Sequence, residues 1–268
     1  MSSTTQTPSA RATAQTWSDA SSANTADAPS RWQAYLDRYR RGEWRDRIFR
    51  DMLLGDLRDR PRPVTLLDIG CGRGFDSDMP LQEEIADRVD RFIGVEPDPA
   101  IVLGSHFSVT YRCLFEEAPL APGSVDVAYA IMVLEHLSQP ERFWNKVWEV
   151  LKEGGVFWGL TVDGRHWFTR ASLWAESLRI KDLYLEWFLG RRGLERYENY
   201  PAHYRSNSPQ QIVRYARRFR SCELINFARI GQLNAYFPRP FHWLTNLLDR
   251  CAYWCGKPGT LLAVRAMK

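Results

Sequence analysis

Short apolar runs recur along the middle of the chain and alternate with segments of helical spacing. The run from Val64 to Ile69 is rich in branched residues and ends at Gly70, which is typical of a buried parallel strand. This alternation predicts an α/β fold, a mostly parallel sheet with helices on both faces. The further predicted strands are 91–95, 109–113, 125–131 and 156–162, and the predicted helices are about 81–89 and 140–151, followed by a turn at Gly154-Gly155.

The segments that flank this alternation differ from it in composition. Residues 1–30 are rich in Ser, Thr and Ala and cannot bury enough surface to offset chain entropy, so we expect a disordered tail. Residues 31–60 have the spacing of amphipathic helices, and residues 61–162 form the expected core. The Trp- and Arg-rich segment 163–220 is expected to be a helical cap over the ligand-binding edge of the sheet. Residues 221–268 are expected to add two closing antiparallel strands with an aromatic amphipathic helix between them.

Composition narrows the class of protein only slightly. The length of 268 residues fits one catalytic unit. The formal net charge of +4 is too small to indicate a nucleic-acid-binding surface. Its five cysteines show no paired spacing, so neither a disulfide framework nor a zinc site is predicted, and reduced thiols in the cytoplasm are the simplest account. No run of about 18 apolar residues is present, so no membrane span is predicted.

A glycine-rich turn follows the first predicted strand. Asp68 stands in the strand and is followed by Gly70, Gly72 and Gly74, with Cys71 between the first two glycines, a pattern that lets backbone approach a nucleotide-like ligand. A dinucleotide fingerprint would place its third glycine at position 75, where this chain has Phe75, so NAD is disfavoured.

The second predicted strand ends at Glu96-Pro97. A carboxylate at this place can accept hydrogen bonds from both hydroxyls of a ribose.

Four segments in this order resemble the class I S-adenosylmethionine (SAM)-dependent methyltransferases of the type 11 or 12 group. They are LLDIGCGRG at 66–74, FIGVEPDP at 92–99, EEAPLAPGSVDVAYAIMVLEHL at 116–137 and LKEGG at 151–155. The resemblance covers roughly residues 64–162 and implies a Rossmann-like, seven-stranded fold with SAM as cofactor. It further implies that Glu96 holds the ribose, that Gly70 and Gly72 lie under the cofactor, and that Ile131 and Met132 line its methionine end.

The chain departs from the family pattern at the adenine end of this site. The acidic residue usual in the family is replaced by Leu114, so the adenine amino group loses a side-chain partner. The backbone amides near Phe115 and Glu116 could read the ring instead, and the Phe115 side chain could pack against it.

Methyl transfer from a sulfonium requires alignment of the acceptor and removal of one proton. His136 follows the fourth predicted strand and is the candidate general base, with Tyr204 as a second candidate catalytic residue. The alternative for His136 is that it only orients the loop after the strand. The magnesium-dependent relatives of this motif carry an extra Glu where this chain has Met132, so no metal is predicted.

A polar and aromatic cluster lies in the expected cap, before a helix start predicted at Ser208-Pro209. It could form a substrate pocket in which Arg205 holds an anionic group, or it could simply pack on the sheet edge. Residues 165–220 hold twelve Lys and Arg against five Asp and Glu, which mildly favours an anionic acceptor. The members of the cluster are Tyr197, Tyr200, His203, Tyr204, Arg205 and Asn207.

An apolar stripe at helical spacing runs from Phe241 to Trp254. It could face the core or a dimer partner, or it could rest on a membrane surface. Monomer and homodimer therefore both remain open.

The sequence thus favours methyl transfer to oxygen, nitrogen or carbon of a small-molecule or lipid-linked acceptor. A nucleic-acid methyltransferase is disfavoured, because Ala130-Ile131-Met132-Val133 replaces the motif that holds a flipped adenine. A SAM-binding module without catalysis is the third alternative.

Overall fold

The computed structural model describes residues 30–171 and 201–268. The expected disordered tail lies outside these residues except for Ser30. The middle of the expected cap, residues 172–200 with Tyr197 and Tyr200, also lies outside them.

One seven-stranded sheet forms the centre of the described structure, with strand order β3-β2-β1-β4-β5-β7-β6. The first five strands are parallel, and β7 runs antiparallel to both β5 and β6. The predicted Rossmann-like α/β fold is thereby confirmed. The strands are β1 Thr65–Ile69, β2 Arg91–Val95, β3 Val109–Tyr111, β4 Val125–Ile131, β5 Leu151–Val162, β6 Ser221–Phe227 and β7 Leu261–Met267.

Helices cover both faces of the sheet and bury two apolar clusters against it. The first cluster includes Phe143 and Trp144, and the second includes Phe49 and Trp158. Asp78 and Ser208 cap the helices that follow them through side-chain oxygens, which accept from Leu81 N and Gln211 N, so the predicted start at Ser208-Pro209 is confirmed. The helices are α1 Ser30–Arg40, α2 Arg45–Arg58, α3 Met79–Ala86, α4 Pro140–Val150, α5 Pro209–Tyr215 and α6 His242–Trp254.

The fifth strand begins earlier than the sequence pattern predicts. The expected turn at Gly154-Gly155 is a bulge inside β5, where Val125 pairs with Leu151 and Val127 pairs with Val156. Gly154 has φ +73°, a left-handed conformation that lets the chain bulge and then rejoin the sheet.

The end of the expected cap belongs to the core. Ser206 accepts a hydrogen bond from Trp144 Nε1 at 3.0 Å, and the side chains of Ile212, Ala216 and Phe219 are buried in the first cluster. Residues from Ser206 onward therefore cover the sheet face beside α4, because their apolar positions match that face.

A buried ion pair joins α2 to the antiparallel end of the sheet. Both oxygens of Asp56 accept hydrogen bonds from Arg265 at 2.7 Å, and Trp158 Nε1 donates to the same carboxylate at 2.7 Å. The pair anchors the N-terminal helices against β5 and β7.

Candidate cofactor and acceptor site

The strand register brings the predicted site residues to one edge of the sheet. Ile69 pairs with Val95 on one side and with Ala130 on the other, so the loops after β1, β2 and β4 leave the sheet side by side. In open parallel sheets, ligands bind at this carboxyl edge where the strand order reverses.

The glycine loop after β1 requires glycine at two points for different reasons. Gly70 has φ +73°, and a Cβ atom on it would lie 2.6 Å from Cγ2 of Val133. Gly74 has φ +115°, and its Cβ would lie 2.7 Å from the backbone at Asp78 and Met79. The loop therefore exposes backbone beside Val133 and then turns tightly into α3.

The Glu96 carboxylate is held by backbone amides at the end of β2. Oε2 accepts from Gly72 N and Oε1 accepts from Asp98 N, both at 2.9 Å, and the side chain is buried. Pro97, which has no amide hydrogen, follows directly and ends the strand. An ionised carboxylate has about four acceptor positions, so Glu96 keeps capacity for two further hydrogen bonds. A ribose diol supplies two such donors, and the geometry fits the nucleoside part of SAM.

Asp68 lies beneath the glycine loop and contacts other side chains. Its Oδ2 accepts from Gln82 Nε2 at 2.7 Å and from the Tyr129 hydroxyl at 2.5 Å. Burial raises the pKa of Asp68 to about 7. Gln82 Nε2 also donates to Cys71 O at 3.1 Å, so Asp68 supports the loop from below.

Cys71 is buried under the same loop. Burial raises the pKa of its thiol, so it is a packing residue and a poor nucleophile. Cys71 therefore contributes to the site through its backbone.

The predicted adenine end is only partly assembled. Phe115 is buried, and its ring centroid lies 5.2 Å from that of Phe143 in the core. An apolar ring next to an apolar cluster is buried there in preference to lying at the surface. Leu114 is exposed, and the backbone of Phe115 and Glu116 forms a short 3₁₀ turn beside it.

Two predicted residues at the carboxyl edge have unusual backbone conformations. Met132, just after β4, has φ +53°, and Tyr204 has φ +49°. Residues other than glycine rarely adopt such conformations, which cost about 1–3 kcal/mol and cluster at functional sites. Ile131 ends β4 next to Met132, and both side chains are partly buried.

The segment after β4 is connected to the loop before α5. The Glu135 carbonyl accepts from His203 N at 2.7 Å and from Tyr204 N at 3.0 Å. His136 Nδ1 lies 3.3 Å from Pro201 O. The structure therefore brings the two predicted catalytic residues, His136 and Tyr204, to the same loop junction.

A chain of buried polar side chains lies behind this junction. Thr161 donates to Glu135 Oε2 at 2.7 Å, and Asn207 Nδ2 donates to the Thr161 hydroxyl at 2.6 Å. Burial raises the pKa of Glu135, an effect that nearby His136 partly opposes. The chain holds the ends of β4 and β5 to the loop that carries Tyr204.

A basic cavity of about 250 Å³ opens elsewhere on the same edge. Its lining includes Arg40, Arg229 and Lys257, together with Asp249 and His166. Burial lowers the pKa of His166 to about 4, so this imidazole is neutral near pH 7 and the positive charge comes from the other three side chains.

The position of this cavity follows from the antiparallel strands. Residues 228–230 follow the end of β6, and residues 257–260 precede the start of β7. Leu261 at that start pairs with both Val162 and Phe227, so these loops lie beyond the carboxyl end of β5. The cavity therefore shares the edge that carries Gly70 and Glu96.

Across residues 30–171 and 201–268, no group of three or more His, Cys, Asp or Glu side chains is arranged to hold a metal ion. In the same residues, no helix has the length and apolar character needed to cross a bilayer.

Residues 67–159 match the family model described as a methyltransferase domain. Over these residues the chain is similar to class I methyltransferase domains. SAM is the cofactor of this family, and the Glu96 geometry above fits it. The matched range contains nearly all of the four motif segments on which the predicted resemblance rests.

The curated relatives agree with this assignment. A probable S-adenosylmethionine-dependent methyltransferase of Mycolicibacterium smegmatis is 36% identical over 98 residues, which cover 34% of this chain and 35% of the relative. An uncharacterized methyltransferase of Mycobacteroides abscessus is 28% identical over 69% of this chain and 71% of its own length. This chain thus spans about a third of the length of the first relative.

Solved structures share the fold at low identity. The geranyl diphosphate C-methyltransferase of Streptomyces coelicolor has a TM-score of 0.52 at 14% identity, and the match covers 87% of this chain and 86% of that one. The phosphoethanolamine N-methyltransferase 2 of Haemonchus contortus has a TM-score of 0.51 at 13% identity, with 87% of this chain and 60% of that one covered. These values establish the fold. They do not identify the methyl acceptor of this chain.

Sequence reasoning missed several residues that the fold places at the site. Gln82 and Tyr129 contact Asp68, and Thr161 contacts Asn207, each through a buried hydrogen bond. A weak signal existed in Gln82, a polar residue directly beside Leu81 on the buried side of α3. Tyr129 and Thr161 lie inside apolar strands, and the local sequence does not show which residue a hydroxyl in such a strand hydrogen-bonds to.

Proposed function

We propose that this chain transfers a methyl group from SAM to a small acceptor that carries an anionic group. The observation that carries the cofactor half is the buried Glu96 carboxylate, fixed by the amides of Gly72 and Asp98 with acceptor capacity remaining. Its position at the end of β2, beside a loop of left-handed glycines, suits a nucleoside whose ribose faces a carboxylate.

The rest of the cofactor site follows from the same edge. Because Gly70 has no side chain, the Val133 side chain packs directly against the loop, and the loop backbone is the part that would contact the cofactor. Ile131 and Met132 would line the methionine end, and the backbone of Phe115 and Glu116 would contact the adenine. Because Leu114 replaces the acidic residue usual in the family, the adenine would hydrogen-bond to backbone groups.

The bound cofactor supplies an electrophilic methyl group. This methyl group would pass to the acceptor atom with the carbon–sulfur bonding pair left on sulfur, so the residues of this chain would have to align the acceptor with it. When the acceptor is O–H or N–H, one proton must leave, and His136 takes it up. Tyr204, held through its amide by Glu135 O, would orient the acceptor at that point.

The basic cavity supports an anionic acceptor. Arg229 stacks over the rings of Tyr39 and Trp44, with its guanidinium carbon 5.0 and 5.6 Å from their centroids, which pre-orients the cation. Lys257, which also lines the cavity, adds an exposed ammonium. A volume of about 250 Å³ admits a phosphate or carboxylate group.

Labelling and binding experiments distinguish this function from the two alternatives, a nucleic-acid methyltransferase and a non-catalytic SAM-binding module. In a nucleic-acid methyltransferase, label from methyl-labelled SAM would enter a macromolecule. In a non-catalytic module, S-adenosylhomocysteine would bind and no label would be transferred.

The test has a binding arm and a transfer arm. S-adenosylhomocysteine should raise the melting temperature of the wild-type protein and of Glu117→Gln, an exposed control, and should raise that of Glu96→Gln much less at the same concentration. Methyl-labelled SAM with fractionated cell extract should place label in small anionic molecules or lipids. Absence of any thermal shift in the wild type would refute the cofactor assignment.

A double variant tests whether the basic cavity binds the anionic group of the acceptor. Arg229→Ala combined with Lys257→Ala should raise the KM for the labelled acceptor about tenfold or more and leave the KM for SAM unchanged. Equal KM values for the acceptor in the variant and the wild type would remove the cavity from the acceptor site.

A further inference from the structure

Helix α6 is amphipathic, but its polar side faces the protein and its apolar side faces outward. Within it, the buried residues are Thr245 and Asp249, whereas its large apolar side chains are exposed. Trp243 is 66% exposed and Trp254 is 84% exposed. The outward face of α6 consists of Phe241, Trp243, Leu244, Leu247, Leu248 and Trp254.

Polar contacts hold α6 in this orientation. Asp249 accepts from Trp167 Nε1 at 3.2 Å and from Gly231 N at 3.0 Å. Thr245 donates to Asn234 Oδ1 at 2.7 Å. Because the inward side is fixed by hydrogen bonds, the apolar side cannot turn inward without leaving buried polar groups unpaired.

The charges around the outward face are of one sign. Between residues 238 and 258 the chain carries Arg239, Arg250 and Lys257, all exposed, and a single acid, Asp249, which is buried on the inward side. Apolar side chains with tryptophan near both ends and exposed cations beside them are the composition of helices that lie in the interface of anionic membranes.

We propose that the outward face of α6 docks on a lipid bilayer that contains anionic lipids. Tyr253 and Lys257, from the end of this helix and the turn after it, also line the basic cavity. A molecule held in that interface can therefore present its headgroup to the cavity without leaving the membrane surface. The docking itself does not depend on methyl transfer.

Flotation with vesicles tests the proposal. The wild-type protein should float with vesicles of phosphatidylcholine containing about 30 mol % phosphatidylglycerol, and far less with phosphatidylcholine alone. The triple variant Trp243→Ser, Leu247→Ser, Trp254→Ser should bind the anionic vesicles at least about tenfold more weakly. Arg239→Glu with Arg250→Glu should weaken binding as well, and high salt should reduce wild-type binding, since the cations are exposed.

Two controls make the result decisive. Val102→Ser, at an 88% exposed apolar residue away from α6, should float like the wild type. S-adenosylhomocysteine should raise the melting temperature of all variants equally, which shows that they fold and separates this test from that of the cofactor site. Trp254→Ser alone serves if the triple variant is unstable.

Two outcomes would overturn the proposal. One is a wild-type protein that does not float with anionic vesicles. The other is a wild-type dimer in light scattering that becomes a monomer in the triple variant without any vesicle binding, which would make the face an interface between two copies.

Discussion

The Glu96 carboxylate accepts a hydrogen bond from the backbone amide of Gly72 at 2.9 Å, which ties the loop after β1 to the end of β2. The same carboxylate is the proposed ribose ligand, so one side chain would both shape the loop and bind the cofactor. This double role makes the site sensitive to a change of charge without a change of shape.

Glu96→Gln should weaken S-adenosylhomocysteine binding about 10–100-fold. The amide keeps the size of the side chain but loses one charged acceptor, and hydrogen bonds to charged groups contribute about 1.5–3 kcal/mol. Calorimetric titration measures the dissociation constant, with the exposed Glu117→Gln as control. An unchanged constant would assign Glu96 to loop structure alone.

Gly70→Ala should also impair cofactor binding, because its Cβ would lie 2.6 Å from Val133 Cγ2 and its φ is +73°. Adding Val133→Ala removes the clash and leaves the cost of the left-handed backbone. The double variant should therefore recover part of the loss, and a double-mutant cycle measures the coupling. Identical losses in the single and double variants would contradict a steric cause.

His136→Gln should lower kcat about 100-fold or more for an O–H or N–H acceptor, because the group that accepts the proton is lost. The KM for SAM should stay the same. His242→Gln, in α6, is the matched control and should keep the wild-type rate. If His136→Gln retains full kcat, the residue only orients the loop after β4.

Asp68→Asn should flatten the pH dependence of stability. Burial raises the folded pKa of Asp68 to about 7, above its ordinary value of 3.8, so the folded protein holds an extra proton between these values. Its stabilising contribution is therefore complete below about pH 4 and is lost as pH rises through 7. Between pH 5 and 8 this contributes a fall of about 2 kcal/mol in the free energy of unfolding.

The asparagine oxygen can still accept from Tyr129 and Gln82, so the variant is expected to fold. Urea unfolding at pH 5 and pH 8 measures the difference, and Asp59→Asn at an exposed position controls for charge. The prediction is wrong if wild type and Asp68→Asn lose equal stability across this range.

Asp56→Ala should destabilise the fold by about 3 kcal/mol. It removes the bidentate partner of the buried Arg265 guanidinium, which keeps its contact with Glu223 at 3.1 Å, and it removes the acceptor of Trp158 Nε1. Asp37→Ala breaks the Asp37–Arg40 ion pair, in which the Asp37 side chain is 43% exposed, and should cost less than about 1 kcal/mol. Similar losses in thermal unfolding for the two variants would contradict the importance of burial.

The chain order of strands and helices was predictable because its signals are local. Branched apolar runs, the glycines at 70, 72 and 74, and Pro97 each restrict their own backbone, and β4 was predicted at its observed bounds. The start of β5 was misplaced because Gly154-Gly155 reads as a turn, and only pairing with β4 shows that the strand continues through a bulge.

What the sequence determined by itself is the class I fold, the cofactor and the place of Glu96, since these depend on residue types at fixed spacing. The tertiary structure alone decided that Asp68 contacts Tyr129 and Gln82, that Phe115 lies in the core, and that the apolar stripe of α6 faces outward. A periodic stripe has the same spacing whichever way it faces. Its direction is set by long-range contacts, here the hydrogen bonds that hold Thr245 and Asp249 inside.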